Sequence, residues 1–283
     1  MRKKSYELTE QHIRRYALHL YEQERAAATI QKYLHDLAAL RGFLDGGPLT
    51  KEALIAWKAG LAATHAPASV NSMLAAVNGF LAFMSWRELT VKPLKIQKTL
   101  FRDEEKELTC AEYARLVRAA DQEGNQRLSL VIQTICATGI RVSELKFITA
   151  QAVVQGRAEI DNKGKRRVVF LPGKLRRLLK NYLKQQKGTE GPVFVTKTGR
   201  PLDRSNIWRD MKKLCESAGV EPGKVFPHNL RYLFARTFYS LERDLSRLAD
   251  ILGHSSIATT RIYTAESGLA HARQVERMGL VIT

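Results

Sequence analysis

Apolar residues recur every three or four positions along the first 90 residues of the chain, which is the spacing of amphipathic helices. This pattern predicts four helices, at residues 8–24, 28–47, 51–62 and 69–86. Thr9 and Ser69 are expected to cap the first and the fourth helix, and Gly46-Gly47 to end the second. Because no alternating, strand-like pattern interrupts them, we expect residues 1–95 to form a small helical bundle.

The helical periodicity disappears between Thr90 and Glu107, where a proline and mixed charges are typical of a linker between domains. We place this linker at 96–106 and a second domain at 107–283. Helical spacing resumes in that domain.

Alternation of apolar and polar residues predicts one hairpin in the second domain. Residues 157–160 and 167–171 alternate on either side of the turn-forming Asn162-Lys163-Gly164. They predict a two- or three-stranded antiparallel ribbon with Lys163 at or beside its tip. The pattern elsewhere is helical, so the predicted fold class is mainly α with a small antiparallel β-sheet.

Local signals fix several helix ends in the second domain. Thr109 forms a capping box with Glu112 at the start of one helix, and a later helix ends at Gly139. Arg141 follows this end, within ATGIRVSEL. Toward the C-terminus, Pro227 can open a helix, because the first turn does not use the N–H that proline lacks.

Two further short helices follow before Tyr263. Asp244 is expected to cap the first of them and Gly253 to end it, and Ser255 or Ser256 can cap the second.

The chain carries a large excess of positive charge. Its 283 residues include 46 Lys+Arg and 28 Asp+Glu, a formal net charge of +18. A basic balance of this size indicates a polyanionic partner, most often nucleic acid. Ten Lys or Arg residues and no acid lie between Asn162 and Thr189. We interpret this run as a surface for the phosphate backbone, with a solvated face as the alternative, and take Lys165, Arg166 and Arg167 as candidate DNA contacts.

Three widely spaced cysteines, without a C-x-x-C pair or a secretory signal, indicate a reducing compartment. No apolar run is long enough to span a bilayer. We therefore expect a cytoplasmic, nucleoid-associated protein that has no membrane partner.

A small set of side chains carries the candidate chemistry. His228 and Arg231 lie three residues apart on one face of a helical first turn, which is a good seat for a phosphate. His254 follows Gly253, and Tyr263 comes nine residues later. No acidic cluster accompanies them to hold a divalent metal, so the set suits a phosphodiester attacked by a phenol, with neither metal nor cofactor.

Four motifs in order give the chain a family resemblance. ATGIRVSEL, the lysine-tipped hairpin, HNLR, and LGH with a following tyrosine together resemble the tyrosine recombinase (phage integrase) family, and TIQKYLHDL resembles that family's core-binding domain. The length is similar to that of compact Xer-like recombinases and mobile-element integrases. The resemblance implies a SAM-like helical core-binding bundle followed by a catalytic domain.

The resemblance also implies a role for each candidate residue. Arg141 and Arg231 would clamp the scissile phosphate, Tyr263 would be the nucleophile and His228 its base. Lys163 would protonate the leaving 5′-oxygen, and His254 would hydrogen-bond the phosphate. Glu144 is expected to orient Arg141. Three alternatives stay open: Lys165 competes with Lys163, and Tyr232 and Tyr239 compete with Tyr263.

The implied function is site-specific DNA recombination through a covalent 3′-phosphotyrosine, without metal or ATP. The sequence leaves open whether it serves integration and excision of a mobile element or resolution of chromosome dimers. A type IB topoisomerase would use the same chemistry, and a catalytically silent DNA-binding protein on the same fold is the alternative from another class.

The implied partners are double-stranded DNA with an inverted-repeat site and further copies of the chain. Four protomers would form a tetramer on DNA, with the tail at 265–283 docked on a neighbour or on its own domain. A partner recombinase or an accessory protein is a further partner that the resemblance allows.

Overall fold

The computed structural model describes residues 6–96, 104–162, 165–186, 190–196, 198–263 and 276–280. The chain divides into two compact units, Met1–Lys98 and Thr99–Thr283, and the division falls inside the predicted linker. Within the described ranges, every helix is too short or too polar to cross a membrane.

The first unit is a bundle of four helices: α1 Glu10–Glu22, α2 Ala27–Leu44, α3 Lys51–Thr64 and α4 Pro67–Phe83. Its core includes members of the apolar stripes that the periodicity predicts, among them the fully buried Leu37, Leu40, Val77 and Leu81. The predicted helical bundle is therefore confirmed.

Some predicted helix ends differ from the observed ones. Thr9 caps α1 as expected, since its hydroxyl accepts from the His12 N–H at 3.2 Å. Helix α4 begins at Pro67 rather than after Ser69, because a proline fits the first turn without losing a hydrogen bond. It ends at Phe83, short of Trp86, where Ser85 adopts a positive φ of 62°. Helix α2 ends at Leu44 because Asp45, before the glycine pair, is already left-handed.

The second unit holds eight helices and two strands among its described residues. They are α5 Cys110–Gln122, α6 Gln126–Thr138, α7 Ala150–Gln155, β1 Arg157–Asn162, β2 Lys165–Phe170, α8 Gly173–Gln185, α9 Arg204–Ala218, α10 Pro227–Glu242, α11 Leu245–Leu252 and α12 Ile257–Thr260. Short 3₁₀ helices include Val142–Phe147 and Arg261–Tyr263. A large apolar core lies beneath most of them, a smaller apolar cluster joins α10, α11 and Tyr263, and α10 packs against α6.

The predicted antiparallel hairpin is confirmed as a two-stranded sheet. Strands β1 and β2 pair in register from Arg157 opposite Phe170 to Asn162 opposite Lys165. Lys163 lies outside the described residues, so its place at the tip stays a prediction. The tail at 265–283 is outside them too, apart from residues 276–280.

Several caps of the second unit follow the sequence signals. Thr109 and Glu112 form the capping box, Asp244 caps α11, and Ser256 rather than Ser255 caps α12. Gly139 ends α6 with a φ of +65°, and a Cβ there would lie 2.4 Å from the ring of Phe234. Glycine is thus required at this position for two reasons, the left-handed backbone conformation and the close approach of α10.

Candidate active site

Four segments of the second unit meet at one point. Arg141 precedes the 3₁₀ helix after α6, His228 and Arg231 lie in the first turns of α10, and His254 follows α11. Tyr263 ends the 3₁₀ helix after α12. The structure thus brings together all the sequence-predicted catalytic side chains that it describes.

Arg231 is the buried centre of this cluster, with only 2% of its surface exposed. One guanidinium nitrogen donates to the Gly139 carbonyl, and the other donates to the Leu252 carbonyl at 2.8 Å and to His254 Nε2 at 3.0 Å. Those two carbonyls lie at the C-terminal ends of α6 and α11, where carbonyls lack helical partners and favour a cation. Arg231 therefore ties two helix ends to α10.

Burial and the nearby charge of Arg141 lower the pKa of Arg231 to about 10. The guanidinium remains charged near neutral pH.

Glu144 holds Arg141 in place. Its buried carboxylate accepts from the Arg141 backbone N–H at 2.8 Å and from the Arg141 guanidinium at 3.1 Å. Burial alone would raise the pKa of Glu144, but hydrogen bonds from Arg167 and from the Arg141 backbone outweigh it and lower that pKa to about 2. The carboxylate is therefore ionised at neutral pH, and it positions Arg141 as expected.

Arg167 lies in a different environment from the expected one. Its guanidinium donates to both Glu144 oxygens, at 3.0 and 2.6 Å, and to the Ile251 carbonyl at 3.2 Å. Gly253 lies beneath it, where a Cβ would approach Arg167 to 2.9 Å. Its donors are directed at protein acceptors and its side chain is only 13% exposed, so a structural role is observed for Arg167 and its contact with DNA stays a prediction.

Arg166 points to the other face of the hairpin. Its side chain is 87% exposed and lies 3.3 Å from the Asp161 carboxylate. The β period of two accounts for this difference between neighbours, because Arg167 shares the inward face with the buried Val169. DNA contacts by Arg166 and Lys165 stay predictions.

A pocket of about 380 Å³ opens beside the cluster and is lined by Arg141, His228 and Arg231. Arg204 and Trp208, one turn apart at the start of α9, also line it. Neither residue was expected at the site from the sequence; their spacing of four on a basic helix was the available signal. The pocket combines three guanidinium groups with an imidazole, which suits a phosphate group.

The two histidines are poised in their neutral forms. Loss of hydration, followed by the charges of Arg231, Arg141 and Arg204, lowers the pKa of His228 below its usual value. Loss of hydration, followed by the charges of Arg231, Arg141 and Arg167, lowers the pKa of His254 to about 4. The neutral His228, which lines the pocket, can accept a proton.

Tyr263 is buried, with 3% of its surface exposed. Its ring packs edge-on against Tyr232, with ring centroids 4.8 Å apart, and stacks on His254, with ring centroids 6.0 Å apart. The Tyr232 hydroxyl donates to the Ile262 carbonyl at 2.6 Å. Tyr239 packs beneath the guanidinium of Arg243. Tyr263 thus stacks on the imidazole that is hydrogen-bonded to Arg231.

Comparisons with known proteins identify the family of the chain. The family model described as "Phage integrase family" matches residues 106–268, more than half of the chain. The tyrosine recombinase XerD of Xanthomonas campestris pv. campestris is 32% identical over 285 residues, covering 90% of this chain and 87% of the relative. The tyrosine recombinase XerA of Pyrococcus furiosus is 28% identical, covering 95% and 94%.

Solved structures share the fold at lower identity. The XerH site-specific recombinase bound to its difH substrate aligns with a TM-score of 0.68 at 20% identity, covering 89% of this chain and 79% of that one. A lambda integrase tetramer bound to a Holliday junction aligns with a TM-score of 0.74 at 18% identity, covering 92% and 78%. With the sequence match and the convergence of Arg141, Arg231, His254 and Tyr263, these findings show that the chain belongs to the phage integrase family of tyrosine-type site-specific recombinases.

Proposed function

We propose that this protein cuts and rejoins DNA strands at a specific site, using Tyr263 as the nucleophile. The observation that carries the proposal is the stacking of Tyr263 on His254, which is hydrogen-bonded to Arg231, while Arg231 shares the Leu252 carbonyl with Arg141. A phosphate held by the two guanidinium groups would lie beside the phenol. The attack would give a 3′-phosphotyrosine and a free 5′-hydroxyl.

Each side chain would then have a defined task. A phenol has a pKa of about 10 and is protonated at neutral pH, so it needs a proton acceptor, which the neutral His228 supplies. Arg141 and Arg231 stabilise the charge that grows on the phosphate oxygens, a contribution of about 3–4 kcal/mol per lost donor in comparable sites. His254 donates to the phosphate, and Lys163 protonates the leaving 5′-oxygen.

The geometry of the free protein is closed, and DNA must open it. Tyr263 and Arg231 are almost fully buried, and both hydrogens on one Arg231 nitrogen are donated to Leu252 and His254. A phosphate in the pocket lined by Arg141 and His228 would compete for these donors and draw the 3₁₀ helix of Tyr263 toward it.

We propose that strand exchange takes place in a tetramer on paired DNA sites, with resealing driven by the bond energy kept in the phosphotyrosine. The fold shared with a tetrameric lambda integrase supports this assembly. Because relatives that span most of the chain are Xer recombinases, we favour resolution of chromosome dimers on nucleoid DNA. Integration or excision of a mobile element is the second candidate, favoured by the fold shared with the Tn1549 transposon integrase.

The test uses duplex DNA that the protein itself selects from a random pool. This DNA is nicked close to the cleavage position, so that the short fragment released by cleavage diffuses away and the covalent complex cannot reseal. Wild type should give a covalent protein–DNA band on a denaturing gel without added metal. Tyr263→Phe should bind the same DNA and give no band, while Tyr232→Phe and Tyr239→Phe should still give one. Tight binding by wild type with no band would instead support the silent DNA-binding alternative.

A further inference from the structure

The His254 imidazole is held at both of its nitrogens. Nε2 lies 3.0 Å from a guanidinium nitrogen of Arg231, and Nδ1 lies 2.9 Å from Oγ1 of Thr260. A guanidinium only donates, so Nε2 must be the acceptor in the first bond. The ring proton is therefore on Nδ1, which donates to the Thr260 hydroxyl.

Thr260 is held in a fixed position beside His254. It is the last residue of α12 and is completely buried, whereas its neighbour Thr259 on the same helix is exposed. The start of α12 is fixed as well, since the Ser256 hydroxyl accepts from the Ala258 N–H at 3.2 Å. The Thr260 hydroxyl is thus fixed against one ring nitrogen.

The proposed reaction requires the opposite tautomer. Phosphate oxygens accept hydrogen bonds, so His254 can contact the phosphate through Nε2 only if Nε2 carries a proton. In the neutral ring, Nδ1 then carries no proton and becomes an acceptor. The alternative, a doubly protonated imidazolium, would place a second positive charge beside Arg231. A threonine hydroxyl is both donor and acceptor, so it can serve either form by rotating its O–H bond.

We propose that Thr260 is a positioning residue that holds His254 in both tautomers, accepting from Nδ1–H in the free protein and donating to Nδ1 when Nε2 turns to the phosphate. In this change one proton leaves Nδ1 for solvent and one is taken up at Nε2, so the charge of the ring is conserved. The proposal rests on the proposed function for the phosphate contact, whereas the tautomer of the free protein follows from the geometry alone.

The chain offers matched variants for the test. Thr260→Val keeps the shape and removes the hydroxyl, Thr260→Ser keeps the hydroxyl, and Thr259→Val makes the same change at the exposed neighbour. On the nicked duplex selected by the protein, Thr260→Val should cleave roughly tenfold more slowly at saturating DNA, the scale of one lost hydrogen bond. Its Kd for DNA should be unchanged, and Thr260→Ser and Thr259→Val should cleave like wild type.

Nitrogen-15 NMR of labelled histidine gives a readout that a purely structural role would not change. In free wild type, His254 should be protonated on Nδ1 and not on Nε2. In Tyr263→Phe bound to the intact duplex, the proton should be on Nε2.

Three results would overturn the proposal: an Nε2 proton in the free protein, a folded Thr260→Val that cleaves at the wild-type rate, or a folded Thr260→Ser as slow as Thr260→Val. If Thr260→Val does not fold, the proposal is tested by the cleavage rate of Thr260→Ser and by the nitrogen-15 spectra of wild-type His254. A wild type that forms no covalent complex contradicts the proposed function, and the spectrum of the free protein still decides the tautomer.

Discussion

The guanidinium of Arg167 and the carboxylate of Glu144 face each other with two hydrogen bonds, at 3.0 and 2.6 Å, in an almost fully buried position. The pair joins strand β2 to the 3₁₀ helix that follows Arg141, and Glu144 holds Arg141 at the same time. The hairpin and the phosphate-binding arginine are therefore fixed to each other through one carboxylate.

Replacing Arg167 by Met should harm both stability and cleavage. The change leaves the Glu144 carboxylate buried with less compensation, which costs about 3–5 kcal/mol when one partner of a buried ion pair is removed. Denaturant unfolding should show this loss, and covalent-complex formation should slow at least in parallel because Arg141 is held less firmly.

Arg166→Met is the matched control for Arg167→Met, one residue away on the exposed face of the same strand. Its unfolding free energy should change by no more than about 0.5 kcal/mol, as is usual at exposed positions. If Arg166 contacts the DNA backbone, its variant should bind more weakly with a smaller dependence on salt. Equal stability of the two variants would contradict the assigned role of the Arg167–Glu144 pair.

Glu144 should make stability depend on pH in the acid range. Its pKa is lowered to about 2 in the folded protein, so its stabilising effect is complete above the unfolded value of 4.5. That effect is lost as the pH falls from about 5 through about 2, and its full size is about 3 kcal/mol. Glu144→Gln should be less stable at pH 7 and should lose this part of the acid dependence, as measured by denaturant titrations from pH 7 to 3.

His228 should set the acid limb of the cleavage rate. Its pKa is lowered from 6.5, first by loss of hydration and then by three arginines, and a base acts only when unprotonated. The rate of single-turnover cleavage should therefore be maintained below pH 6.5. It should decline at still lower pH, where His254, with a pKa of about 4, also gains a proton.

His228→Gln should lower the cleavage rate by roughly 10²–10⁴ and remove the part of the acid limb that belongs to His228. A limb centred above pH 6.5 in wild type would contradict the neutral, desolvated His228 of this structure.

Loss of Arg141 and loss of Arg231, the two arginines proposed to bind the phosphate, should differ in their effect on the stability of the fold. Arg141 is 36% exposed at its side chain, so Arg141→Ala should reduce cleavage by about 3–4 kcal/mol of transition-state stabilisation with a small effect on unfolding. Arg231→Ala should also destabilise the fold, because it leaves a large cavity, the Gly139 carbonyl without its side-chain donor and the Leu252 carbonyl with only the longer bond from Arg141. Comparing cleavage with thermal unfolding for both variants tests this division.

The sequence predicted this site where the signal was local. Periodicity placed Arg231 on a helix beside His228, and helix-end signals placed Gly139 and Gly253. What it did not give were partners far apart in the chain: Arg167 lies 23 residues from Glu144, and Arg231 lies 92 residues from Gly139. The charge run around Arg167 indicated a solvent face or DNA, yet the inward register of one strand residue directs its guanidinium to a buried carboxylate.

Gly139 and Gly124 allow the cost of a backbone conformation to be separated from the cost of a clash. Both follow a helix and both have a positive φ, of 65° and 70°, but an added Cβ at Gly124 would meet nothing within 4 Å. Gly124→Ala should therefore lower the unfolding free energy by about 1–2 kcal/mol, the cost of a left-handed alanine. Gly139→Ala should lose a further ~1–3 kcal/mol, because Phe234 must move away from the new methyl group.

Gly139→Ala should also slow cleavage, since the carbonyl that receives Arg231 belongs to the residue that would have to shift. Phe234→Leu combined with Gly139→Ala should recover part of both losses by making room for the methyl group. Because Gly124 lies between α5 and α6, at the opposite end of α6 from Gly139 and the arginine cluster, cleavage by Gly124→Ala should equal that of wild type. A cleavage defect of the same size in both variants would show that lost stability, and not displacement of Arg231, is what the assay detects.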